Sequence, residues 1–431
     1  MAKLAINGGR AVRAKSAAWP QWPIHDERDV ERVIQVTRSN RWSFDGPVEW
    51  EFAEKFAKYH GAKYGLCCAN GTVGIQLALE ALDVGAYDEV LVPGMTWQAT
   101  AAACLDVNAV PILIDVEPDT WCIDLEKAEA AITKKTKAMI IVHLYGSMTD
   151  IDRARRICKK HKIFLIEDCA HQHGSFWKGK GVGTFGDVGS FSFQESKTLS
   201  CGEGGFNMCG TKTLFERIYS LRNCGRGWQD NMRNAIQAGN CRLTEWQAAL
   251  LIGGLSRLDA QVKLRDANAM YLNALLAQIP GVMPMRRRTQ VTQQNYYNFG
   301  FRLDLPKLKG VTNREFGPAL NAELRLPLDV LEPPYEPLND CDLYKPHTKR
   351  RHRLSKEYWK AINPKRFRLP ECTKAHQKSG IVVHHAALMG TKRDMDDVAR
   401  AVAKIVENIE ELRQWKPNVH GRKNRGLGAM G

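Results

Sequence analysis

One lysine stands where a strand pattern ends and a glycine-rich turn begins. The stretch GSFSFQESKTLSCGEGG runs from Gly189 to Gly205, and its alternating apolar residues stop shortly before Lys197. A lysine becomes a nucleophile when its amine loses a proton near neutral pH and reaches a carbonyl carbon. The chemistry that follows also needs an electron sink, which a cofactor supplies. Lys197 therefore directs attention to residues that could bind such a cofactor.

Candidates for cofactor binding follow neighbouring strand patterns. An acid, Asp168, ends the run IFLIED, and an indole, Trp97, lies in PGMTWQAT. The turn CANGTVG places Gly71 and Thr72 at the start of a predicted helix, where free backbone N–H groups favour a phosphate. Ser192, in the same stretch as the lysine, adds a hydroxyl.

Together these groups match what pyridoxal phosphate requires of a protein. A carboxylate keeps its ring nitrogen protonated, a flat side chain covers one face of the ring, and donors bind its phosphate. Each residue alone also fits a plainer role: Asp168 or Thr72 as a helix cap, Trp97 in the core, Lys197 in solvent. Because all of them fall at the carboxyl ends of predicted strands, where open parallel sheets bind ligands, we predict one cofactor site.

The order of the elements predicts the fold around this site. Between about Lys63 and Met208, apolar runs alternate with helical patterns, which is typical of right-handed βαβ units and a mostly parallel sheet. The predicted strands are YGLCCA, EVLVPG, AVPILID, AMIIVHL, IFLIED, GSFSF and GGFNM. We expect an N-terminal segment on the small domain (1–45), a large α/β domain (46–264), a small α+β domain (265–415) and a basic, disordered tail (416–431).

Three other patterns could indicate different sites. GVGTFG, which begins at Gly181, matches a dinucleotide-binding motif, but a strand pattern follows it where a helix is needed. We interpret it as a glycine-rich loop that leads into a strand. Asp168, His171 and His173 could ligate a metal, yet no partner cluster with recognisable spacing follows, so we expect none. The histidine pair at 384–385 is interpreted as a surface or cleft pair.

The charge and the cysteine content of the chain indicate which partners the protein could bind and in which cellular compartment it lies. Of the net charge of +15, ten basic residues against one acid lie between Leu343 and Arg368, and four more basic residues follow from Lys416. We interpret this as a solvated surface, or one that meets an anionic substrate near 349–353, rather than a nucleic-acid site. Twelve scattered cysteines, an N-terminus without a signal-like stretch and no run of about 18 apolar residues predict a cytoplasmic protein without a membrane span.

Several motifs resemble those of one family. NGTVGIQLAL, VPGMTWQAT, VHLYG, IEDCAH, the lysine stretch, LRNCGR and GNCRLTEWQAAL are similar in order and spacing to the DegT/StrS family of pyridoxal-phosphate-dependent sugar aminotransferases. The resemblance extends from GGRAVR near the start to VVHHAALMG near the end. It implies the α/β fold of the fold-type I class, with a large domain around a mostly parallel sheet and a smaller α+β domain.

The resemblance also implies a role for each residue near the cofactor ring. Lys197 would bind the cofactor aldehyde as a Schiff base and would be the catalytic residue. Asp168 would pair with the pyridine nitrogen, and Trp97 would stack on the ring. His171, where relatives often have glutamine, would lie near the phenolic oxygen.

At the phosphate, the resemblance implies that Gly71, Thr72 and Ser192 bind it within one subunit. Asn240, in GNCRL, would reach it from the neighbouring subunit, which implies a homodimer. The implied reaction moves an amino group from L-glutamate or L-glutamine to a keto-sugar or keto-cyclitol. EDCAH and the lysine stretch resemble the branch that acts on cyclitols and aminohydroxybenzoate precursors. A dehydratase like aminohydroxybenzoate synthase, and a nucleic-acid-binding regulator that retains the fold, stay open as alternatives.

Overall fold

The computed structural model describes residues 3–231, 235–326, 331–349 and 355–415. Its strands are β1 Tyr64–Cys68, β2 Glu89–Pro93, β3 Val110–Ile114, β4 Thr136–Val142, β5 Phe164–Asp168, β6 Phe176–Trp177, β7 Lys180–Gly181, β8 Val188–Ser192, β9 Gly205–Cys209, β10 Val282–Pro284, β11 Val291–Gln293, β12 Asn298–Leu303, β13 Leu331–Glu332 and β14 Gly380–His384. Its α-helices are α1 Glu27–Ser39, α2 Pro47–His60, α3 Gly71–Ala81, α4 Ala99–Asp106, α5 Leu125–Ala130, α6 Ile151–His161, α7 Lys212–Arg222, α8 Glu245–Leu276, α9 Asn313–Leu324, α10 Lys356–Ala361, α11 Pro370–Lys374, α12 Lys392–Glu407 and α13 Ile409–Gln414.

A seven-stranded sheet carries the predicted site. Its order is β1-β9-β8-β5-β4-β2-β3, and only the two pairs that include β9 are antiparallel. Strands covered by helices on both faces read as continuous apolar runs, as VPILI in β3 does, and all five of its residues are buried. All seven predicted strands occur in this sheet, which confirms the prediction of a mostly parallel α/β architecture.

Helix caps define where the chain leaves this sheet for a helix. Asn70 follows β1, and its side chain accepts a hydrogen bond from the Val73 amide, which starts α3. Asp150 and Thr211 cap α6 and α7 in the same way. These caps satisfy first-turn amides that would otherwise lack an acceptor. The capping residues therefore determine where each of these helices begins.

A second core surrounds the sheet β10-β12-β14-β13. Helices α9 and α12 pack on it, and so do Leu4 and Trp19 from the N-terminal segment. The long helix α8 contributes residues to both cores and runs through the predicted domain limit at 264/265. The three predicted limits between these segments stay predictions.

Two further predictions concern cysteines and membranes. All twelve cysteines are free, and nine of them are buried, so they pack as small apolar side chains. Among the described residues, no helix combines the length and the hydropathy that a membrane-spanning segment needs. The predicted disordered tail and most of the basic segment at 349–353 lie outside the described residues.

Candidate active site

Lys197 lies in the turn after β8 and is almost fully enclosed. The residue is only 8% exposed, and its Nζ lies 4.0 Å from the centroid of the Tyr297 ring. Burial lowers the pKa of Lys197 to about 8, and the charge of Asp168 opposes this shift. The plainer role of a solvated lysine is therefore wrong, because the amine is buried and loses its proton far more readily than an exposed lysine does.

Asp168 is the last residue of β5, and its carboxylate interacts electrostatically with Lys197. Its Oδ2 accepts a hydrogen bond of 2.9 Å from Thr100 Oγ1, and its Oδ1 accepts one of 3.2 Å from the Ala170 amide. Burial raises the pKa of Asp168, and these two hydrogen bonds and the Lys197 charge only partly offset that shift. A buried carboxylate with raised pKa favours a cationic partner, as a pyridinium would be.

His171 is held in one tautomer. The Tyr145 amide donates to its Nδ1 over 3.1 Å, so Nδ1 is unprotonated, and burial lowers the pKa of His171 well below its usual value. The neutral ring therefore carries its proton on Nε2 and presents one N–H donor. It stacks on Tyr297 with centroids 4.1 Å apart, which fixes the plane of the ring.

The start of α3 and the end of β8 approach each other closely. A Cβ added at Gly71 would lie 2.7 Å from the Cβ of Ser192, so only glycine allows this approach. Asn70 caps the amide of Val73, and among the described residues no protein acceptor binds the amides of Gly71 and Thr72. These two N–H groups, the start of the helix and the Ser192 hydroxyl are therefore close together, as an anion-binding turn requires, and their predicted binding of a phosphate stays a prediction.

Trp97 lies at the end of a series of ring contacts that runs through Tyr335 and Tyr145 to His171. It is 38% exposed, which makes the plainer role of a core residue wrong. Its ring centroid lies 5.9 Å from that of Tyr335, whose amide donates to the Tyr145 hydroxyl over 2.8 Å. The predicted stacking of Trp97 on a cofactor ring stays a prediction, but an accessible indole is in place for it.

Among the described residues, Asn240 has no hydrogen bond to any of the other seven predicted residues. It is exposed, pairs with Asn223 in an isolated bridge, and its Oδ1 accepts a 3.4 Å hydrogen bond from the Arg242 amide. This placement agrees with a role toward a second subunit, which a single chain does not test.

The other sequence patterns have structural explanations. GVGTFG is a loop between β7 and β8, as predicted, and Glu167 accepts hydrogen bonds from its amides at Gly183, Phe185 and Gly186. Glu167, His143 and Cys169 are close enough to hold a metal, yet His143 Nε2 donates to Glu167 over 3.3 Å and its Nδ1 accepts from the Thr149 amide.

The histidines that could have been metal ligands are engaged too. His173 Nε2 donates to the Ser192 carbonyl over 2.8 Å, and its Nδ1 lies 3.2 Å from Thr198 Oγ1. His385 is fully buried and its Nε2 donates to the Ser196 carbonyl over 3.1 Å, so of the two predicted places for the 384–385 pair, surface or cleft, the surface is wrong for this residue.

The comparisons with known proteins agree with this geometry. The profile of the DegT/DnrJ/EryC1/StrS aminotransferase family matches residues 23–363. The chain belongs to this family. An L-glutamine:2-deoxy-scyllo-inosose aminotransferase of Streptoalloteichus tenebrarius is 40% identical over 426 residues, which is 95% of this chain and 99% of that relative. One from Streptomyces fradiae is 39% identical over 425 residues, with the same coverage of 95% and 99%.

A solved structure extends the comparison to three dimensions. The crystal structure of 3-amino-5-hydroxybenzoic acid synthase matches with a TM-score of 0.80 and 29% identity, over 91% of this chain and all of that chain. The predictions of the fold-type I class, the family and a pyridoxal-phosphate-dependent aminotransferase are thereby confirmed.

The residues of this aminotransferase fit pyridoxal phosphate. A buried lysine with a pKa of about 8, a buried acid and a turn closed by glycine supply the three kinds of group that the aldehyde, ring nitrogen and phosphate require. Three aromatic residues of the site were not predicted: Tyr297, which contacts Lys197 and His171, and Tyr145 and Tyr335, which contact His171 and each other. Tyr145 lies in the quoted motif VHLYG, which was the one available signal, whereas the other two come from distant segments.

Proposed function

We propose that the aminotransferase moves the amino group of L-glutamine to the ketone of a cyclitol of the 2-deoxy-scyllo-inosose type. One observation carries the reaction class: Lys197 is buried beside Asp168 with a pKa lowered to about 8. The names of the relatives at 40% and 39% identity support the choice of substrate and donor. The neutral aromatic and imidazole side chains around the lysine suit an uncharged polyol ring.

Each residue near the ring has a separate task in this proposal. Bound pyridoxal phosphate supplies an aldehyde that captures amines and a ring that accepts electrons. Asp168 would keep the ring nitrogen protonated, and His171 would direct its Nε2–H group toward the phenolic oxygen. Lys197 Nζ would remove a proton from the Cα of the donor and return it within the site, which a lowered pKa favours near neutral pH. Trp97 would lie against the ring.

The residues at the start of α3 and the end of β8 would orient the cofactor rather than react. Gly71 and Thr72 would bind the phosphate with their amides, and Ser192 with its hydroxyl. Binding of the phosphate would hold the cofactor in one position relative to Lys197 Nζ, and such positioning raises the rate of the reaction.

A direct assay tests the substrate. The purified protein is incubated with L-glutamine and 2-deoxy-scyllo-inosose, and the amino-cyclitol is detected by mass spectrometry, with a nucleotide-linked keto-sugar as the comparison substrate. We expect the cyclitol to be aminated at a much higher kcat/KM. Efficient amination of the keto-sugar alone would reject the proposed substrate. A dehydrated aromatic product would instead favour the synthase-like alternative, which the match to 3-amino-5-hydroxybenzoic acid synthase motivates.

We also propose a homodimer in which Asn240 completes the phosphate site of the partner. Its exposure and its lack of a hydrogen bond to the other described site residues support this. The Lys197→Ala and Asn240→Ala variants, each inactive or weak alone, should form mixed dimers with one intact site, so random mixing restores about a quarter of the sites. Activity that does not recover on co-expression would place Asn240 outside a shared site.

A further inference from the structure

Two tryptophans of the N-terminal segment, Trp19 and Trp22, each donate a hydrogen bond to a backbone carbonyl and each pack against an arginine. Trp19 Nε1 donates to the Leu324 carbonyl over 3.1 Å, and Trp22 Nε1 donates to the Lys197 carbonyl over 3.1 Å. An arginine covers each indole: the guanidinium carbon of Arg13 lies 3.7 Å from the Trp19 ring centroid, and that of Arg265 lies 4.9 Å from Trp22.

The two arginines differ in their partners. Arg13 forms ion pairs with Asp394 over 2.7 Å and with Asp397 over 3.2 Å. Arg265 is fully buried in α8, and among the described residues none accepts a hydrogen bond from its Nε, Nη1 or Nη2. Burial lowers the pKa of Arg265 to about 9. A buried, unpaired guanidinium costs stability, so its presence needs a reason other than folding.

What surrounds Arg265 indicates that reason. Trp22 packs edge-on against His385 with ring centroids 4.6 Å apart. His385 Nε2 donates to the carbonyl of Ser196, and Trp22 donates to the carbonyl of Lys197, so two adjacent carbonyls of the lysine turn are held by side chains from opposite ends of the chain. A neutral imidazole and an indole can hold these carbonyls without adding charge beside the amine.

We propose that Trp22 and Arg265 are positioning residues for Lys197: Arg265 holds the indole, and the indole N–H fixes the backbone of the lysine. This rests on the proposed role of Lys197. A small displacement of a reacting group lowers rate strongly, whereas substrate binding depends on other residues. The loss should therefore fall on kcat rather than on KM.

The experiment compares four variants of the full-length, cofactor-loaded enzyme. Trp22→Phe removes one N–H and keeps the ring, and Arg265→Met removes the charge and keeps much of the volume. Trp19→Phe and Arg13→Met are the matched controls outside the lysine turn. For each variant we measure kcat, the KM of the ketone, the thermal midpoint and the visible circular dichroism of the bound cofactor, which reports the orientation of the lysine-held ring.

We expect Trp22→Phe and Arg265→Met to lower kcat about tenfold, because each loosens the hold on the backbone of Lys197 and displaces its amine, with KM changed less than about twofold. Both should alter the visible circular dichroism, and Arg265→Met should melt no lower than the wild type. The controls should melt lower with unchanged kcat and dichroism. If Trp22→Phe does not fold, Arg265→Met decides by the same measurements.

Wild-type kcat and dichroism in both test variants would overturn the proposal, and so would equal changes in the controls. Failure of the underlying function is distinguishable from this. Borohydride reduction of the wild-type enzyme that attaches the cofactor to a lysine other than Lys197 would reject the role of Lys197 itself, whatever the variants do.

Discussion

Two consecutive acids at the end of β5 have opposite surroundings. Glu167 is fully buried and accepts hydrogen bonds from three amides of the glycine-rich loop and from His143. Asp168, on the other face of the sheet, accepts one from Thr100 and one from Ala170. Burial opposes ionisation in both, but the pKa of Glu167 is nevertheless lowered by its hydrogen bonds, whereas that of Asp168 is raised.

The difference shows how to separate a structural charge from a functional one. The carboxylate of Glu167 is satisfied by its own chain, so it stabilises the loop that leads into β8. The carboxylate of Asp168 retains capacity for a cationic partner, and it faces the site that contains Lys197. Burial alone does not distinguish them, whereas the number and kind of hydrogen bonds does.

Removing the amine of Lys197, which lies in the site that Asp168 faces, should have the largest effect on activity. In Lys197→Ala we expect kcat to fall more than about a thousandfold, because both the covalent attachment and the proton transfer are lost. The absorption band of the lysine-bound cofactor should disappear as well. Lys159→Ala, an exposed lysine of α6, is the control and should keep both. A variant at 197 that keeps the band would show that another lysine holds the cofactor.

Changing Asp168 tests the electrostatic role of its carboxylate. Asp168→Asn keeps the shape and removes the charge, so we expect kcat to fall about 10²–10³-fold while the protein folds at least as well as the wild type. Steady-state kinetics and thermal melting measure the two quantities. Near-normal kcat would mean that the ring nitrogen does not depend on this carboxylate.

The same chemical change one residue earlier should act on stability. Glu167→Gln replaces two acceptor oxygens by one oxygen and one donor group, which leaves buried amides unsatisfied, and we expect a loss of about 2–4 kcal/mol in the free energy of unfolding. Activity per folded molecule should stay close to normal. A specific loss of kcat without loss of stability would remove the contrast between the two acids.

The pH dependence of stability should have opposite signs at the two acids. The lowered pKa of Glu167 gives the wild type an advantage over Glu167→Gln above the usual glutamate pKa, and this advantage is lost as the pH falls through the lowered value. The raised pKa of Asp168 gives an advantage over Asp168→Asn at low pH that is lost as the pH rises. Urea unfolding from pH 2 to 7 at fixed ionic strength measures both. Parallel pH slopes would contradict the assignment.

The smallest expected effect concerns Trp97, which is predicted to stack on the cofactor ring. Trp97→Ala removes an accessible indole, and we expect the cofactor to bind about threefold to tenfold more weakly, since aromatic contacts contribute about 0.5–1.5 kcal/mol. Titration of cofactor-free protein with pyridoxal phosphate measures the dissociation constant. Unchanged affinity would remove Trp97 from the ring site.

Much of the site could be predicted because the carboxyl ends of parallel strands lie at the same edge of a sheet. Asp168, Lys197, Gly71 and Ser192 each follow a strand pattern, and the sheet brings them together. The roles that could not be predicted depend on contacts between distant segments. Tyr297 reaches Lys197 across 100 residues of chain, and no local pattern indicates such a contact.

The short strands were missed for a different reason. Strands β6 and β7 have two residues each, and a stretch of that length has no periodicity to detect. The burial of His385 could not be predicted, because two adjacent histidines have the same sequence whether they are exposed or buried. Its partner, the Ser196 carbonyl, becomes apparent only in the folded chain.

The attachment point of the cofactor tests the central claim most directly. Borohydride reduction of the purified enzyme fixes pyridoxal phosphate to the lysine that holds it, and proteolysis with mass spectrometry identifies that residue. We predict the added mass on the peptide that contains Lys197. The added mass on any other peptide, or an unmodified peptide at Lys197 in fully loaded enzyme, would contradict the claim.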